Sequence, residues 1–354
     1  MAVDILLLRT RYPHWGAQSG INQVLRHIQP GRFAIDERIV EDSDEQFPIK
    51  NERVRTILRW AVQSRGMQWY RLSDLAAEIE VYRRSRRGGV DIVHFLDGEH
   101  SAQFFPGFQK RWPRPKVVAT YHQPPERLDT VIIRKVVSRL DYVLLVSPDQ
   151  VSYFKDLIAP DRIHVILHGI DTDFFRPGRE PRREGKFRCL TVGHCLRDFK
   201  AVGKVAEALK HHPGIEFHVV THRDTGLEEL SNVTLHRHLS DAQLLARYQD
   251  SDLLFLPLIQ STANNALLEG VACGLPVVST LLPSVKAYLP GGEALLVEEN
   301  HPDDLSAAIL GLYQDPERRT LMSESARKRA LQLDWRNIAP EYEAFYSEIA
   351  RRGR

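Results

Sequence analysis

The sequence predicts an α/β protein built from two doubly wound halves, and three observations carry that expectation. At 354 residues the chain exceeds one typical core and suits two domains. Short apolar runs bounded by polar turns recur along its length and alternate with helix-like segments. Runs of this kind suit strands buried on both faces of a parallel sheet, and their alternation with helices is the doubly wound pattern. A polar stretch bearing Pro and Gly, RPGREPRREGK (Arg176–Lys186), interrupts the pattern near the middle and reads as a linker.

In the first half the expected strands are Val3–Leu8, Val90–Phe95, Val117–Thr120, Tyr142–Val146 and His164–Leu167. In the second they are Phe187–Val192, Glu216–Thr221, Val233–His236, Leu253–Pro257, Pro276–Ser279 and Ala294–Val297. Beyond Leu296 the pattern turns helical. HPDDLSAAILGLYQD places Asp303 or Asp304 near a helix start, and an amphipathic segment, Ile338–Ala350, follows the turn Asp334-Trp335. The expected domains are 1–172, completed by a C-terminal helix at about 338–354, and 173–337.

Composition excludes several classes. The apolar fraction of 43% and charged fraction of 27% are those of an ordinary globular chain. Cys189, Cys195 and Cys273 are scattered without metal-ligand spacing and read as reduced thiols. The N-terminus MAVDILLLRTRYP lacks a basic region and a small-residue cleavage site, and its apolar run is of strand length. No stretch approaches the roughly 18 apolar residues that cross a bilayer. The expected location is therefore the cytoplasm, including the inner membrane surface. From Arg53 to Arg87 nine arginines stand against Asp74, Glu78 and Glu80, interleaved with Trp60, Trp69, Tyr70 and Tyr82. Two readings of this run stand side by side: docking to an anionic membrane or acceptor, and a solvated helical face with its aromatics in the core. With a net charge of +2 and no recognition motif, nucleic acid is not an expected partner.

The strongest local signal is QSTANNALLEGVACGLPVVST, Gln260–Thr280. A strand ends, a polar loop follows, a helix opens at about Ala263, and Gly274-Leu275-Pro276 stops it before another strand. Such a junction offers unpaired amides at the positive end of a helix dipole, which suits a diphosphate. Asn265 and Glu269, four apart, share a helix face and are displaced by about 6 Å along the axis. A carboxylate so placed suits the hydroxyls of a ribose; the plain alternative is an amphipathic helix with Glu269 in solvent. After the first strand, HWGAQSGINQVLRHI sets Gly16 and Gly20 before a helix-like run, either a simple turn or a place for close backbone approach to an anion.

Leu268–Val278 resembles the signature of family-4 retaining glycosyltransferases, in which a glutamate, seven residues and a second glutamate precede a small-residue helix closing in Gly-x-Pro-Val-Val. Glu269 matches the second glutamate, which the resemblance assigns to the nucleotide ribose. The position eight before it is Ser261, where the family carries the carboxylate that contacts the transferred sugar. VILHGIDTDFFRP (Val165–Pro177) resembles the interdomain motif, with His168 in place of its asparagine. LTVGHCLRDFKAVGKVAEAL resembles the turn that supplies two basic residues to the diphosphate; His194 stands where an arginine usually follows the glycine, leaving Arg197 and Lys200 as the candidates. The segment near Arg237, His238 and Leu239 resembles the loop flanking the nucleobase, and VVATYHQPP places His122 where a histidine lines the sugar pocket.

The resemblance implies a GT-B fold, two Rossmann-like domains with parallel sheets facing across a cleft. It implies transfer with retention from a nucleoside-diphosphate sugar of UDP or GDP type. His122, Arg197 and Lys200 are its expected catalytic groups. Glu269, Thr262, Asn264, Asn265, Ala266, Arg237, His238 and Leu239 are expected at the nucleotide, and Gly16, Gly20 and Ser261 at the donor sugar and acceptor. No Asp-x-Asp stands at a plausible metal site, so neither metal nor other cofactor is expected. The acceptor, whether glycan, lipid-linked or small molecule, is not legible. Two other classes stay open: a GT-B epimerase or hydrolase, for which Asp97, Glu99 and Glu126 near strand ends are the acidic candidates, and a non-catalytic GT-B-like subunit.

Overall fold

A computed structural model describes residues 2–12, 16–45, 47–63, 67–108, 115–178 and 185–352. The chain forms two compact units: Met1–Trp15, Ile21–His168 and Arg336–Arg354 make the first, and Gly16–Gly20 with Gly169–Trp335 make the second. The crossing at His168–Gly169 lies upstream of the Pro/Gly stretch, whose residues 179–184 fall outside those described.

The first unit carries strands β1 (Val3–Arg11), β2 (Phe33–Glu41), β3 (Ile92–Phe95), β4 (Lys116–Tyr121), β5 (Tyr142–Leu145) and β6 (Ile163–Val165) in one sheet of order β2-β1-β3-β4-β5-β6. Every pairing is parallel, with Ile5 opposite both Ile35 and Ile92. The second unit carries β7 (Phe187–Val192), β8 (Ile215–Val220), β9 (Val233–His236), β10 (Leu253–Leu256), β11 (Val277–Thr280) and β12 (Ala294–Val297), ordered β12-β11-β10-β7-β8-β9 and again wholly parallel. Two sheets of this kind make the doubly wound architecture that the apolar runs predict.

Strands β3, β5, β10 and β11 are buried at every residue, which is why they read as mainly apolar runs, interrupted only by His94, Ser279 and Thr280. One strand escaped the sequence reading. In β2, FAIDERIVE, only Phe33 and Val40 are buried, because it lies at the sheet edge. Its charges are held by neighbours instead: Glu37 pairs with Arg9 at 2.5 Å and Glu41 with Arg11 at 3.0 Å. Elsewhere the strand ends shift by up to three residues, as in β1, which runs on to Arg11, and β6, which begins at Ile163 and ends at Val165.

The C-terminal helix starts at Trp335 rather than Ile338 and runs to Arg351, packing on the first unit. Glu343 accepts from the Gln29 amide at 2.7 Å, and the Tyr346 hydroxyl meets His94 Nδ1 at 2.7 Å. His94 Nε2 reaches Thr120 Oγ1 at 2.7 Å. Burial pushes the His94 imidazole down to about 3, so it serves as a neutral core group.

Each sheet reverses its winding once. In the second unit the chain winds from β7 through β9 in one direction, then restarts at β10 on the other side of β7. The loops following β7 and β10 therefore lie side by side at the carboxyl edge, tied by Asp198 N to the Pro257 carbonyl and Ile259 N to the Leu196 carbonyl, each at 3.0 Å, at the kind of reversal where ligands of doubly wound proteins bind. The corresponding reversal in the first sheet lies between β1 and β3.

The second unit is closed where its chain enters and leaves. Ile170 donates to the Leu333 carbonyl at 2.9 Å, Trp335 donates back to the Ile170 carbonyl at 3.2 Å, and Thr172 Oγ1 donates to Asp334. Trp335 is fully buried against Gly169, where a Cβ would stand 2.5 Å from ring carbon Cδ2 and 3.1 Å from the Leu333 carbonyl. Gly169→Ala should therefore cost about 1–3 kcal/mol through forced displacement of the indole. Trp335→Leu in the same chain should return part of the loss in thermal melts. An unchanged melting temperature for Gly169→Ala would reject this packing account.

Candidate donor-nucleotide site

The loop after β7 opens with Gly193 at φ +91°, a conformation that favours glycine. A Cβ there would lie 3.0 Å from Arg197 Nη2, so the missing side chain also makes room for the guanidinium. Arg197 bridges back to the loop after β10, pairing antiparallel with Leu258. Its Nε donates to the Val192 carbonyl at 2.9 Å, Nη1 to the Cys195 carbonyl at 2.9 Å, and Nη2 to Asn264 Oδ1 at 3.0 Å. A guanidinium has five N–H donors, so these bonds leave two for another acceptor. Burial pushes Arg197 down to about 10, still cationic at neutral pH.

Asn264 is the pivot between the two loops. While accepting from Arg197, its Oδ1 also caps helix Asn265–Ala272 by accepting from Leu267 N at 3.3 Å. The helix thus begins at Asn265, two residues after the expected start, because Asn264 takes the capping role. Ser261, Thr262 and Ala266 are buried beside this tip, and Asn265 is half-buried. Ser261 Oγ donates to the Thr262 carbonyl at 3.1 Å. Lys200 is exposed in the first turn of helix Phe199–Ala208, which Asp198 caps.

Glu269 lies one turn into the helix and is buried, not solvated. Its Oε2 accepts from the Tyr248 hydroxyl at 2.7 Å and its Oε1 from Ser19 Oγ at 2.5 Å. Burial pushes its carboxyl above the ordinary carboxylate range, while the two hydroxyls and Arg197 pull it back. Ser19 belongs to Gly16–Gly20, which packs within the second unit. The Ala17 amide donates to Asp241 Oδ2 at 2.9 Å, a Cβ on Gly16 would stand 2.4 Å from Asp241 Oδ1, and Gly20 turns the chain at φ +104°. The two glycines singled out from the sequence therefore frame a short strap held by two carboxylates.

The structure brings Arg197, Ser261, Thr262, Asn264, Asn265, Ala266 and Glu269 together around the start of one helix. It sets Arg237, His238 and Leu239 apart, after β9, two strands from the reversal. Arg237 pairs with Asp224 at 3.0 Å and Glu228 at 3.1 Å, His238 is exposed at φ +53°, and Leu239 is half-buried. Ser19, Tyr248 and Asp241 were not legible as site residues. No motif marks them, and only the fold carries them to Glu269 or to its strap.

A second cluster occupies the carboxyl edge of the first sheet. His122 Nε2 donates to the Leu96 carbonyl at 2.8 Å, which fixes its tautomer. The His122 and Gln123 amides donate to Glu99 Oε1 at 2.5 and 2.8 Å, while Asp97 Oδ2 accepts from Thr10 N at 2.8 Å. Burial raises the Glu99 carboxyl, and His122 with these amides draws it down. His100 stacks on Trp69 at 5.0 Å, and Arg127 lies over the indole at 5.8 Å. Among the described residues no group of three or more His, Cys, Asp or Glu is arranged to hold a metal ion.

Residues 35–174 match the family model described as Glycosyltransferase Family 4, and residues 188–315 match Glycosyl transferases group 1. The chain belongs to the family-4 group of glycosyltransferases. A D-inositol 3-phosphate glycosyltransferase of Corynebacterium kroppenstedtii is 23% identical over 271 residues, covering 67% of this chain and 59% of the relative. The chain thus spans about three fifths of the length of that curated relative. Sucrose-phosphate synthase of Thermosynechococcus elongatus superposes with a TM-score of 0.74 at 16% identity, over 99% of this chain and 100% of that one. The Anabaena protein HepE in complex with UDP-glucose gives 0.68 at 13% identity, over 98% and 99%. These likenesses establish the GT-B fold for this family-4 chain.

The raised Glu269 carboxyl gives two opposite pH trends. Its stabilising contribution is present at low pH and lost as pH rises through its folded value, so Glu269→Gln should melt higher than the wild type at neutral pH. Hydroxyl donors bind best to the ionised form, so nucleoside-diphosphate affinity should fall as pH drops through that same value. It should fall about tenfold or more in Glu269→Gln at neutral pH. Calorimetric titration across pH reads the second trend; a Gln variant with full affinity would remove Glu269 from the site.

Proposed function

We propose that this chain transfers a sugar from a uridine or guanosine diphosphate donor to a hydroxyl acceptor, with retention at the anomeric carbon. One observation carries the reading. Glu269, buried one turn below the tip of helix Asn265–Ala272, is held by two hydroxyls at the sheet reversal, beside an arginine with two donors to spare. A ribose diol offers the same chemistry as those hydroxyls and would displace Ser19. Its diphosphate would then lie at the helix tip amides and Arg197. The UDP-glucose bound by the Anabaena relative in fold supports a nucleotide sugar.

In the proposed step the bond between the anomeric carbon and the diphosphate oxygen breaks. The acceptor hydroxyl oxygen bonds to that carbon on the same face, and its proton passes to the departing diphosphate. The new charge is met by the helix amides, Arg197 and Lys200, with no metal required. Ser261 faces the transferred sugar without a charge, leaving space for a bulkier substituent or for a sugar lacking a hydroxyl. His122 of the first unit, its tautomer fixed by the Leu96 carbonyl, is our candidate for the catalytic histidine. A hydrolase is less well supported, because Asp97 and Glu99 are already committed to backbone amides.

Radiolabelled sugar nucleotides incubated with lysate acceptors test the reading, with free sugar and transferred product separated. Label should enter an acceptor, and EDTA should leave the rate intact. Release of free sugar alone would make the chain a hydrolase, and strict dependence on manganese or magnesium would overturn the electrostatic account.

The two cations are separable by their setting. Arg197→Ala should lower turnover by about 10²-fold or more, through loss of leaving-group stabilisation. Lys200→Ala should act through the diphosphate alone and leave the melting temperature unchanged. If both variants turn over like the wild type, other groups hold the diphosphate.

A further inference from the structure

Asn300 follows β12 and lies outside the donor segment of the sequence, yet the ends of three other strands meet at its side chain. Its Nδ2 donates to Asp198 Oδ2 at 3.1 Å, in the loop after β7, and to the Leu258 carbonyl at 2.9 Å, in the loop after β10. Its Oδ1 lies 2.6 Å from Thr280 Oγ1, at the end of β11. Thr280 Oγ1 accepts from the Leu258 amide at 2.8 Å. Its one proton goes to the Asn300 oxygen, because the Leu258 carbonyl, 3.0 Å away, already accepts from Asn300. With two acceptors facing its nitrogen and a hydroxyl facing its oxygen, the Asn300 amide has one orientation.

Asp198 stands between the two cations proposed for the diphosphate. Arg197 precedes it, and its Oδ1 accepts from the Ala201 amide at 3.0 Å to cap helix Phe199–Ala208, whose first turn bears Lys200. The same segment is stitched to the loop after β10 by the Asp198 amide on the Pro257 carbonyl and the Ile259 amide on the Leu196 carbonyl. Asn300 grips both sides of this short ladder, one through the Asp198 carboxylate and the other through the Leu258 carbonyl. Without that amide the Asp198 carboxylate would be anchored at one oxygen instead of two. The aim of Arg197 and Lys200 would then be left to the backbone ladder and to the bonds of Arg197 itself.

We propose that Asn300 is a positioning residue for leaving-group stabilisation. Through Asp198 and Leu258 it fixes the direction from which Arg197 and Lys200 meet the diphosphate, without touching substrate. The inference rests on the transfer reading given above, in which those cations meet the charge of the departing group. Charge that develops in the transition state is stabilised by donors already aimed at it. A small rotation of the loop therefore costs turnover more than it costs binding of the ground state. The Glu269 end of the site is held by Tyr248 and Ser19, not by Asn300, so it is untouched by the loss.

Steady-state transfer by the full chain tests this, with the nucleotide sugar that wild type turns over fastest. Asn300→Ala should lower kcat by about tenfold to a hundredfold while donor KM moves by less than about threefold. Asn300→Asp places an oxygen where the amide nitrogen lies 3.1 Å from Asp198 Oδ2, and should lose at least as much. Adding Asp198→Asn to that variant restores an amide–carboxylate pair and keeps a capping side chain. The double variant should therefore regain about threefold or more in kcat over Asn300→Asp alone. Ile215→Ala, a core deletion at the opposite end of β8, lowers stability without touching the network. At temperatures where melting curves show it folded, it should keep the kcat of wild type. Folded Asn300→Ala with the kcat of wild type overturns the inference and leaves the transfer reading standing. So does a fall in kcat of folded Ile215→Ala as large as that of Asn300→Ala. Should Asn300→Ala not fold, the double variant decides: one no faster than Asn300→Asp overturns the inference. Absence of transfer by wild type overturns the transfer reading and this inference with it.

Discussion

A parallel strand buried on both faces can reach its parallel neighbour only by crossing over the sheet, and both halves of this chain are organised by that constraint. Water cannot satisfy the backbone of β3, β5, β10 or β11, so each is hydrogen-bonded laterally and covered by the connections that join it to the next strand. Because the strands are parallel, every loop that leaves a strand lies at the same, carboxyl, edge. Where the winding reverses, two loops come together at that edge, bridged by Arg197. The candidate site is therefore a consequence of connectivity before it is a consequence of any residue.

Chemistry is added to that edge by few groups, each held by more than one bond. Arg197 is tied to both loops and keeps part of its donor capacity. Asn264 joins the cap of the helix to the guanidinium. Glu269 is kept in the interior by hydroxyls alone, without a direct ion pair. A buried carboxylate held this way can exchange one hydroxyl for another at little electrostatic cost, unlike one locked to a cation. Ser19 supplies one of those hydroxyls, and the strap that bears it is anchored on Asp241.

Legibility followed burial. Strands covered on both faces carry mainly apolar runs and were expected close to their observed bounds, whereas β2 was not expected, because an edge strand carries charges at positions a central strand would bury. The helix bearing Glu269 was legible from its loop, its glycine stop and its spacing. Its cap was not, because an asparagine and the residues beside it compete for that position on equal local terms until Arg197 selects one.

The sequence by itself determined the fold class, the order of strand and helix, and the segment that carries the candidate site, since all three rest on periodicity and on neighbours within a few residues. Tertiary structure alone decided which groups satisfy Glu269. Ser19 and Glu269 are 250 positions apart, and Tyr248 lies on a different helix 21 positions away. It also left Arg237–Leu239 two strands from the reversal, and set the amide of Asn300 against Asp198 and Leu258. Local propensity is written in adjacent residues. The pairing of a buried polar group is set by whichever distant donor the packed sheet brings within reach.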